Sequence, residues 1–188
     1  KEIDRLNEKF VKTGTKFTIL KGAEVNILKD GSLDIADEAL AKLDSVGIAV
    51  HSHFNLTRAE QTARIIAAMK NPHADILFHP TGRIIHERDP YDVDMEAVLK
   101  AAKATGTAVE IDAFPERSDL RDLHVRMAVD LGVKLVIDTD AHHPSHLSYL
   151  DLGVAIARRG WAAKKDVLNS QTLVSLKKWL GTPKNKRR

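Results

Sequence analysis

The sequence of 188 residues contains no cysteine. This absence excludes a disulfide framework, a thiolate metal site and a cysteine nucleophile, so any metal must be bound by histidine nitrogen and carboxylate oxygen. No apolar run approaches the roughly 20 residues of a membrane-spanning helix, and segment 1–10 lacks the apolar region of a signal peptide. These absences predict a soluble, cytoplasmic protein that does not contact a membrane.

Aromatic residues are also few, at 5%, but the 43% of hydrophobic residues is enough for the core of one compact domain. Six of the 29 lysines and arginines fall within segment 177–188, which has no acidic residue, so the rest of the chain holds 23 basic and 26 acidic residues. We predict a domain over residues 1–181 and a basic tail over 182–188. The tail is expected to be a solvated, frayed end, with contact to nucleic acid as the alternative.

Short apolar, β-branched runs alternate with amphipathic segments along the chain. The runs predict five strands, at 17–27, 46–51, 75–79, 107–113 and 134–139. The amphipathic segments predict crossover helices at 57–70, 94–104 and 120–131, with stop signals at Gly106 and Gly132. Segment 166–180 predicts a closing helix, and 150–157 fits either a last strand or a helix. The alternation predicts an α/β fold with a helix-covered parallel sheet, either open or closed into a barrel.

Ionisable side chains stand at or near the end of each predicted strand. In a parallel sheet the carboxyl ends of the strands lie on one edge, so these side chains should converge. Histidine and carboxylate donors suit Mn, Zn or Fe, and several carboxylates allow two metals to be bridged. The side chains are Glu24, His51, His79, Glu110, Asp138, Asp140 and His142.

Each of these residues has a structural alternative. A lone His after a strand is more often a hydrogen-bonded core or loop residue than a ligand. Asp140 and His142 carry the strongest local signal, because period-two spacing at a strand end aims both side chains the same way. Glu110 is interpreted as a buried, paired carboxylate rather than a partner of a ligand, and Asp138 either orients a ligand or makes a strand-end hydrogen bond. The other histidines are predicted to be surface residues (His73, His86, His124) or loop residues (His143, His146).

Two arginines follow strand ends and belong to the same predicted mouth. Arg83 lies four residues after His79, and Arg117 lies shortly after the fourth predicted strand. The planar guanidinium matches phosphate oxygens, which makes both residues candidate substrate clamps. The alternative is a salt bridge with a neighbouring acid, namely Glu87, Asp89 or Glu116.

Five stretches of the chain carry a family pattern: KGAEVNILKDGSLDI, VHSHFNLTRAEQTARII, FHPTGRIIHERDPYDVDMEAV, VEIDAFPERSDLRDLHVRMAVDLGVKLVIDTDAHH and LGVAIARRGWAAKKDVLN. The runs HPTGR, DTDAH and ARRGW are its most specific parts. The pattern resembles the PHP (polymerase and histidinol phosphatase) domain at the C-terminus of bacterial and archaeal family X DNA polymerases. The similarity covers nearly the whole chain.

The resemblance implies a distorted seven-stranded (βα) barrel that holds up to three divalent metals, Mn or Zn with Mg or Fe as alternatives. It implies metal ligands at Glu24, His51, His79, Asp140 and His142, with Asp140 and His142 as the catalytic residues. The implied activity is a metal-dependent phosphoesterase, a 3′ to 5′ exonuclease that processes DNA 3′ ends within a repair polymerase. The implied partners are DNA 3′ ends and the upstream polymerase domains of the same polypeptide.

The chain departs from the family pattern at its start. Family members begin with a His-x-His motif, an Asp and a further His, whereas no histidine precedes Glu24 here. We therefore expect the C-terminal portion of the domain, without its first strands, and weak or absent activity of the chain alone. Asp112 and Asp138 stand where relatives often carry Asn or Ser, which adds negative charge to the mouth. The alternative functions are a small-molecule phosphatase of the histidinol-phosphatase type and a catalytically inactive module that positions DNA or neighbouring domains.

Overall fold

A computed structural model describes residues 1–187 of the chain. Strands and helices alternate, as predicted. The helices are α1 Glu2–Lys12, α2 Asp37–Leu40, α3 Arg58–Met69, α4 Met95–Thr105, α5 Asp122–Leu131, α6 Leu150–Arg159 and α7 Leu173–Leu180. The strands are β1 Gly22–Asn26, β2 Ser45–Ala49, β3 Ile76–Leu77, β4 Ala108–Asp112 and β5 Leu135–Asp138. Short 3-10 helices follow β5 at Pro144–Tyr149, Lys164–Asp166, Leu168–Ser170 and Lys184–Lys186.

The five strands form one parallel sheet in the order β1-β2-β3-β4-β5. When parallel strands follow one another in consecutive order, crossovers of the usual right-handed form place the helices on one side of the sheet, as in a barrel wall. The predicted α/β class with a parallel sheet is thereby confirmed, and the arrangement is consistent with a barrel-like fold. Closure of the barrel and the seven-stranded form stay predictions.

Local sequence signals explain where the helices begin and end. Thr57 and Glu60 form a reciprocal capping box at the start of α3, and Asp94 accepts a hydrogen bond from the Ala97 backbone N–H at the start of α4. Helix α4 ends at Gly106 and α5 at Gly132, both in the left-handed conformation that glycine adopts most easily. Both predicted stop signals are confirmed.

The core lies between the sheet and the helices. Along β1, Val25 is fully buried, whereas Glu24 and Asn26 are exposed on the other face. This alternation follows the two-residue period of a strand and leaves one face for packing and the other for chemistry. The side chains with no exposed surface include Ile48, Leu77, Ile111 and Leu135 from the strands, and Ile65 and Leu99 from the helices.

The closing segment differs from the prediction. Residues 166–180 do not form one helix, because helix α7 begins only at Leu173. Before it, Val167 bridges Leu135 in parallel, and the Asn169 side chain bonds both the backbone N–H and C=O of Ile137. These contacts satisfy backbone groups on the free edge of β5, which a helix over the same residues could not do. Residues 150–157 are helical, which decides between the two alternatives for that segment.

The basic tail is packed rather than frayed over the residues that the structure describes. The Lys184 ammonium donates to the backbone oxygens of Met69 and Asn71, at 2.6 and 3.0 Å. Arg187 is buried and its Nη1 lies 2.7 Å from Asp75 Oδ1. The expectation of a frayed end is therefore wrong for residues 184–187, because backbone oxygens and a buried carboxylate compete successfully with water for these cations. Arg188 lies outside the described residues.

None of the helices within residues 1–187 is both long enough and apolar enough to cross a bilayer.

Candidate metal centre

Three side chains from adjacent strands meet at the carboxyl edge of the sheet. Glu24 lies on β1, His51 follows β2 and His79 follows β3. Glu24 Oε1 lies 2.9 Å from His79 Nε2 and 3.2 Å from His51 Nε2. One ligand atom from each residue lies within 4.8 Å of the other two. The structure thus brings together three of the five ligands that the resemblance implies.

The three side chains differ in burial. His79 is 3% exposed, whereas the side chains of Glu24 and His51 are 40% exposed. Hydrogen bonds from His51 and His79 hold the pKa of Glu24 well below its usual range, so this carboxylate is charged at neutral pH. The cluster therefore presents a fixed negative charge beside two imidazoles at a partly open position.

The donor set fits a divalent cation. His51 Nδ1 lies 2.6 Å from Asn26 Oδ1, and this contact leaves Nε2 to face Glu24. The Nδ1 atom of His79 is buried without a hydrogen-bond partner within residues 1–187. Two imidazole nitrogens and one carboxylate that share a single point are a common ligand set for Zn, Mn and Fe. The residues present therefore suit the metal that the sequence predicts.

Four further carboxyl groups lie near the ends of β4 and β5, namely those of Glu110, Asp112, Asp138 and Asp140. Glu110 accepts a hydrogen bond from the His79 backbone N–H, and burial together with the charge of Asp138 raises its pKa well above the usual range. Burial also raises the pKa of Asp112 to about 7 and that of Asp138 to about 6. Glu110 is thus buried, as predicted, but its hydrogen bond with His79 makes it a partner of a candidate ligand as well. It fixes the backbone that carries His79.

A pocket of about 330 Å³ connects three of these carboxyl groups with Glu24 and His79, two of the three clustered ligands. Its lining includes Glu24, His79, Glu110, Asp138 and Asp140. The pocket is large enough for metal ions together with a phosphate group. The strand-end prediction is therefore correct for these residues in one respect: they face a common mouth.

Of the pair Asp140 and His142, only Asp140 lines the pocket, although their side chains approach within 3.7 Å of each other. The strand ends at Asp138, and Asp140 has a positive φ of 44°, so the two-residue period stops before His142. The His142 side chain is 74% exposed, and its Nδ1 lies 2.7 Å from the backbone oxygen of Asp140. Asp140 lines the pocket, while His142 faces solvent beside it. Ligation by these two residues stays a prediction.

The two predicted substrate clamps have different environments. Arg83 Nε and Nη2 donate to the backbone oxygen of Arg117, at 3.0 and 2.8 Å, and Nη2 also bonds the oxygen of Ser118. Arg83 therefore holds a loop through Nε and Nη2, and its role as a substrate clamp stays a prediction. Arg117 Nε lies 3.3 Å from Asp112 Oδ2 and 3.7 Å from Asp140 Oδ2, and its Nη1 is buried without a partner among the described residues.

Sequence reasoning missed Asn26, and it placed Asp112 at the mouth without predicting its partner. Asn26 shares the exposed face of β1 with Glu24 and contacts His51, and the two-residue period was the signal for it. Asp112 pairs with Arg117, whereas the sequence analysis offered Glu87, Asp89 or Glu116 as the salt-bridge partner. Among the remaining histidines, His86 is exposed as predicted, but His73 and His124 are half-buried.

The sequence is similar to known proteins, although no family model matches it. It is 43% identical over 180 residues to "DNA polymerase/3′-5′ exonuclease PolX" of Bacillus subtilis. This match covers 96% of this chain and 31% of that protein. It is 32% identical over 180 residues to a probable phosphatase of Thermoanaerobacter sp., which covers 89% of this chain and 70% of the relative. A probable phosphatase of Shewanella amazonensis is 32% identical over 167 residues, which is 84% of this chain and 64% of that protein.

The chain thus spans about a third of the PolX relative and about two thirds of the phosphatases. The match to the Thermoanaerobacter protein extends over most of both sequences. The chain belongs to the family of these probable phosphatases.

Proposed function

We propose that the chain is a metal-dependent phosphoesterase domain of the PHP type, and that it processes DNA 3′ ends as a 3′ to 5′ exonuclease within a larger repair polymerase. The observation that carries this proposal is the cluster of Glu24, His51 and His79 at the carboxyl edge of three adjacent strands. The similarity to a PolX exonuclease supports the nuclease activity, and the 31% coverage of that relative supports a neighbouring polymerase segment.

Glu24, His51, His79 and Asp140 would hold divalent cations, and His142 would join them from the adjacent loop. The chemistry that such a cation supplies is Lewis-acid activation of water and of the phosphate ester. Mn or Zn fits the nitrogen and oxygen donors best, with Mg or Fe as alternatives and up to three ions in a complete domain.

The chain's own residues would bind and orient the phosphate. Arg117 lies at the mouth between Asp112 and Asp140 with a buried, unpartnered Nη1 among residues 1–187, so it can donate to a phosphate oxygen. Arg83 holds the backbone oxygens of Arg117 and Ser118 and thereby fixes the loop that presents this guanidinium. Glu110 holds the backbone N–H of His79 in the same way.

A small phosphate monoester of the histidinol-phosphate kind is the second candidate substrate. The observation in its favour is the match to probable phosphatases, which extends over 70% of the Thermoanaerobacter relative. Parallel assays on 3′-labelled single-stranded DNA and on histidinol phosphate separate the two functions. Faster turnover of DNA supports the nuclease, and faster turnover of the monoester supports the phosphatase.

We expect weak but Mn-dependent release of nucleotides by the chain, which a chelator abolishes. Asp140→Asn combined with His142→Ala should lower this rate at least tenfold, or about 1.4 kcal/mol of activation free energy, because a carboxylate of the mouth is lost. Asn tolerates the positive φ at this position, so folding is preserved. His143→Ala, an exposed neighbour in the same loop, is the control and should leave the rate unchanged.

An unchanged rate in the Asp140→Asn, His142→Ala variant contradicts the proposed roles of these residues. A wild-type chain that binds no metal and turns over neither substrate contradicts the proposal that the chain is an enzyme. That result favours the inactive module that positions DNA or other domains.

A further inference from the structure

Asn26 forms a polar link between the metal centre and the loop that follows β1. It lies two residues after Glu24 and therefore on the same face of the strand. Its Oδ1 lies 2.6 Å from His51 Nδ1. Its Nδ2 lies 2.5 Å from Asp34 Oδ2, and its backbone N–H donates to Asp34 Oδ1 at 3.0 Å. The amide is thus held from one side by Asp34 while it contacts His51 on the other.

The chemistry of these groups determines which atom donates. A carboxylate only accepts hydrogen bonds, so the NH₂ group of Asn26 must face Asp34. The carbonyl oxygen of Asn26 then faces His51, and His51 Nδ1 must carry the proton that it accepts. Nε2, which lies 3.2 Å from Glu24 Oε1, then presents its lone pair on the side of the site, and a cation bound between these two acceptors would take the place of their direct contact.

The loop after β1 is folded so as to deliver Asp34. The Asp34 backbone N–H bonds the Asn26 oxygen at 3.2 Å, and Ile27 bridges Leu33 in antiparallel fashion. Gly31 allows the reversal, because it adopts a φ of +86° that other residues rarely take. The backbone of the loop therefore holds the Asp34 carboxylate beside Asn26.

His51 needs a hydrogen-bond partner on Nδ1 to fix its ring, and His79 does not. The side chain of His79 is 4% exposed, so surrounding atoms restrict its ring, whereas the side chain of His51 is 40% exposed. An exposed imidazole without a partner on Nδ1 can rotate and can carry its proton on either nitrogen. A ring held through Nδ1 offers Nε2 to a cation in one orientation only.

We propose that Asn26 and Asp34 are positioning residues that hold His51 in the Nδ1–H tautomer, with Nε2 directed at the metal. The inference rests on the proposed function, because it requires that His51 bind a divalent cation. Neither residue touches the cation itself. The link runs from Asp34 through the Asn26 amide to the His51 ring, and loss of the amide should weaken metal binding by about 10- to 100-fold.

The test compares Asn26→Ala with a reciprocal exchange, Asn26→Asp combined with Asp34→Asn. The exchange conserves net charge, keeps an acceptor for His51 Nδ1–H and places the amide donor on the loop side. Two readouts are measured on the full chain: the dissociation constant for Zn²⁺, from competition with a chromogenic chelator, and the His51 Nδ1–H signal of the Zn²⁺-loaded protein by ¹⁵N-edited NMR.

We expect Asn26→Ala to raise the dissociation constant about 10- to 100-fold and to remove the protected Nδ1–H signal. The exchange should restore both to near the wild-type result. Asn7→Ala is the matched control, because the Asn7 side chain also makes two hydrogen bonds, with the backbone N–H and oxygen of Ile19, away from the site. This control should affect stability without affecting Zn²⁺ affinity.

Unchanged Zn²⁺ affinity in Asn26→Ala overturns the inference and leaves the proposed function intact. A loss of Zn²⁺ affinity in Asn26→Ala that the reciprocal exchange does not restore, although the exchanged protein has the wild-type circular dichroism spectrum, also overturns the inference. Wild-type protein that binds no Zn²⁺ overturns both this inference and the proposed function.

Discussion

Replacing His79 with alanine is expected to lower Zn²⁺ affinity at least a thousandfold, which is about 4 kcal/mol, and to reduce phosphoesterase activity to background. His79 is the most buried of the three clustered ligands and lies 2.9 Å from Glu24 Oε1. Without its imidazole, only Glu24 and His51 remain together, and both have side chains that are 40% exposed. Two exposed ligands compete poorly with water for a cation. Metal content after dialysis and titration with Zn²⁺ measure the effect.

The control for this variant is His73→Ala. His73 is half-buried, but it precedes β3 and so lies at the opposite edge of the sheet from His79. Its removal should leave Zn²⁺ affinity unchanged. A second variant, His79→Gln, retains side-chain volume and separates loss of a ligand from loss of packing. Retention of Zn²⁺ by a folded His79→Ala protein would contradict the proposed centre.

Replacing Arg187 with alanine is expected to lower the free energy of unfolding by about 3 to 5 kcal/mol. The Arg187 and Asp75 side chains are 4% and 10% exposed, and their charged atoms lie 2.7 Å apart. Removal of the guanidinium leaves the Asp75 carboxylate buried without its counter-ion. Asp75 Oδ2 also accepts the Val46 backbone N–H at 2.9 Å, so the disturbance reaches β2. Urea denaturation followed by circular dichroism measures the loss.

Lys186→Ala is the control for this experiment, because it removes an exposed positive charge from the same segment. It should change the free energy of unfolding by less than about 0.5 kcal/mol. Asp75→Asn combined with Arg187→Ala should recover part of the loss, since no unpaired charge then remains. A loss below about 1 kcal/mol in Arg187→Ala alone would show that the ion pair is not what holds the segment.

Much of the fold could be predicted from local sequence patterns. The apolar, β-branched runs locate the five strands, although the first was predicted over 17–27 and β1 begins only at Gly22. The stop signals place the ends of α4 and α5 at Gly106 and Gly132. These features depend on residues within one turn or one strand of each other. Where a segment interacts with distant residues the prediction fails, as at 166–172, where edge contacts with β5 replace the helix.

The candidate site was predictable only in its chemistry. Absence of cysteine restricted the ligands to histidine and carboxylate, and their strand-end positions indicated one mouth. Spacing alone did not distinguish Arg83, whose Nε and Nη2 bond the backbone of a loop, from Arg117, whose buried Nη1 has no partner among residues 1–187. It also placed Asp140 and His142 on one side of a continuing strand, whereas the strand ends at Asp138 and only Asp140 lines the pocket.

The sequence by itself determined the alternation of strands and helices, the class of donor atoms and the edge of the sheet where they gather. These follow from periodicity and residue chemistry, which act over a few residues. Only the tertiary structure decided that Glu24, His51 and His79 share one point, that Asp34 and Asn26 support His51, and that Arg187 reaches Asp75 across the fold. The physical reason is that strand order, register and burial set these contacts, and they join residues far apart in the chain.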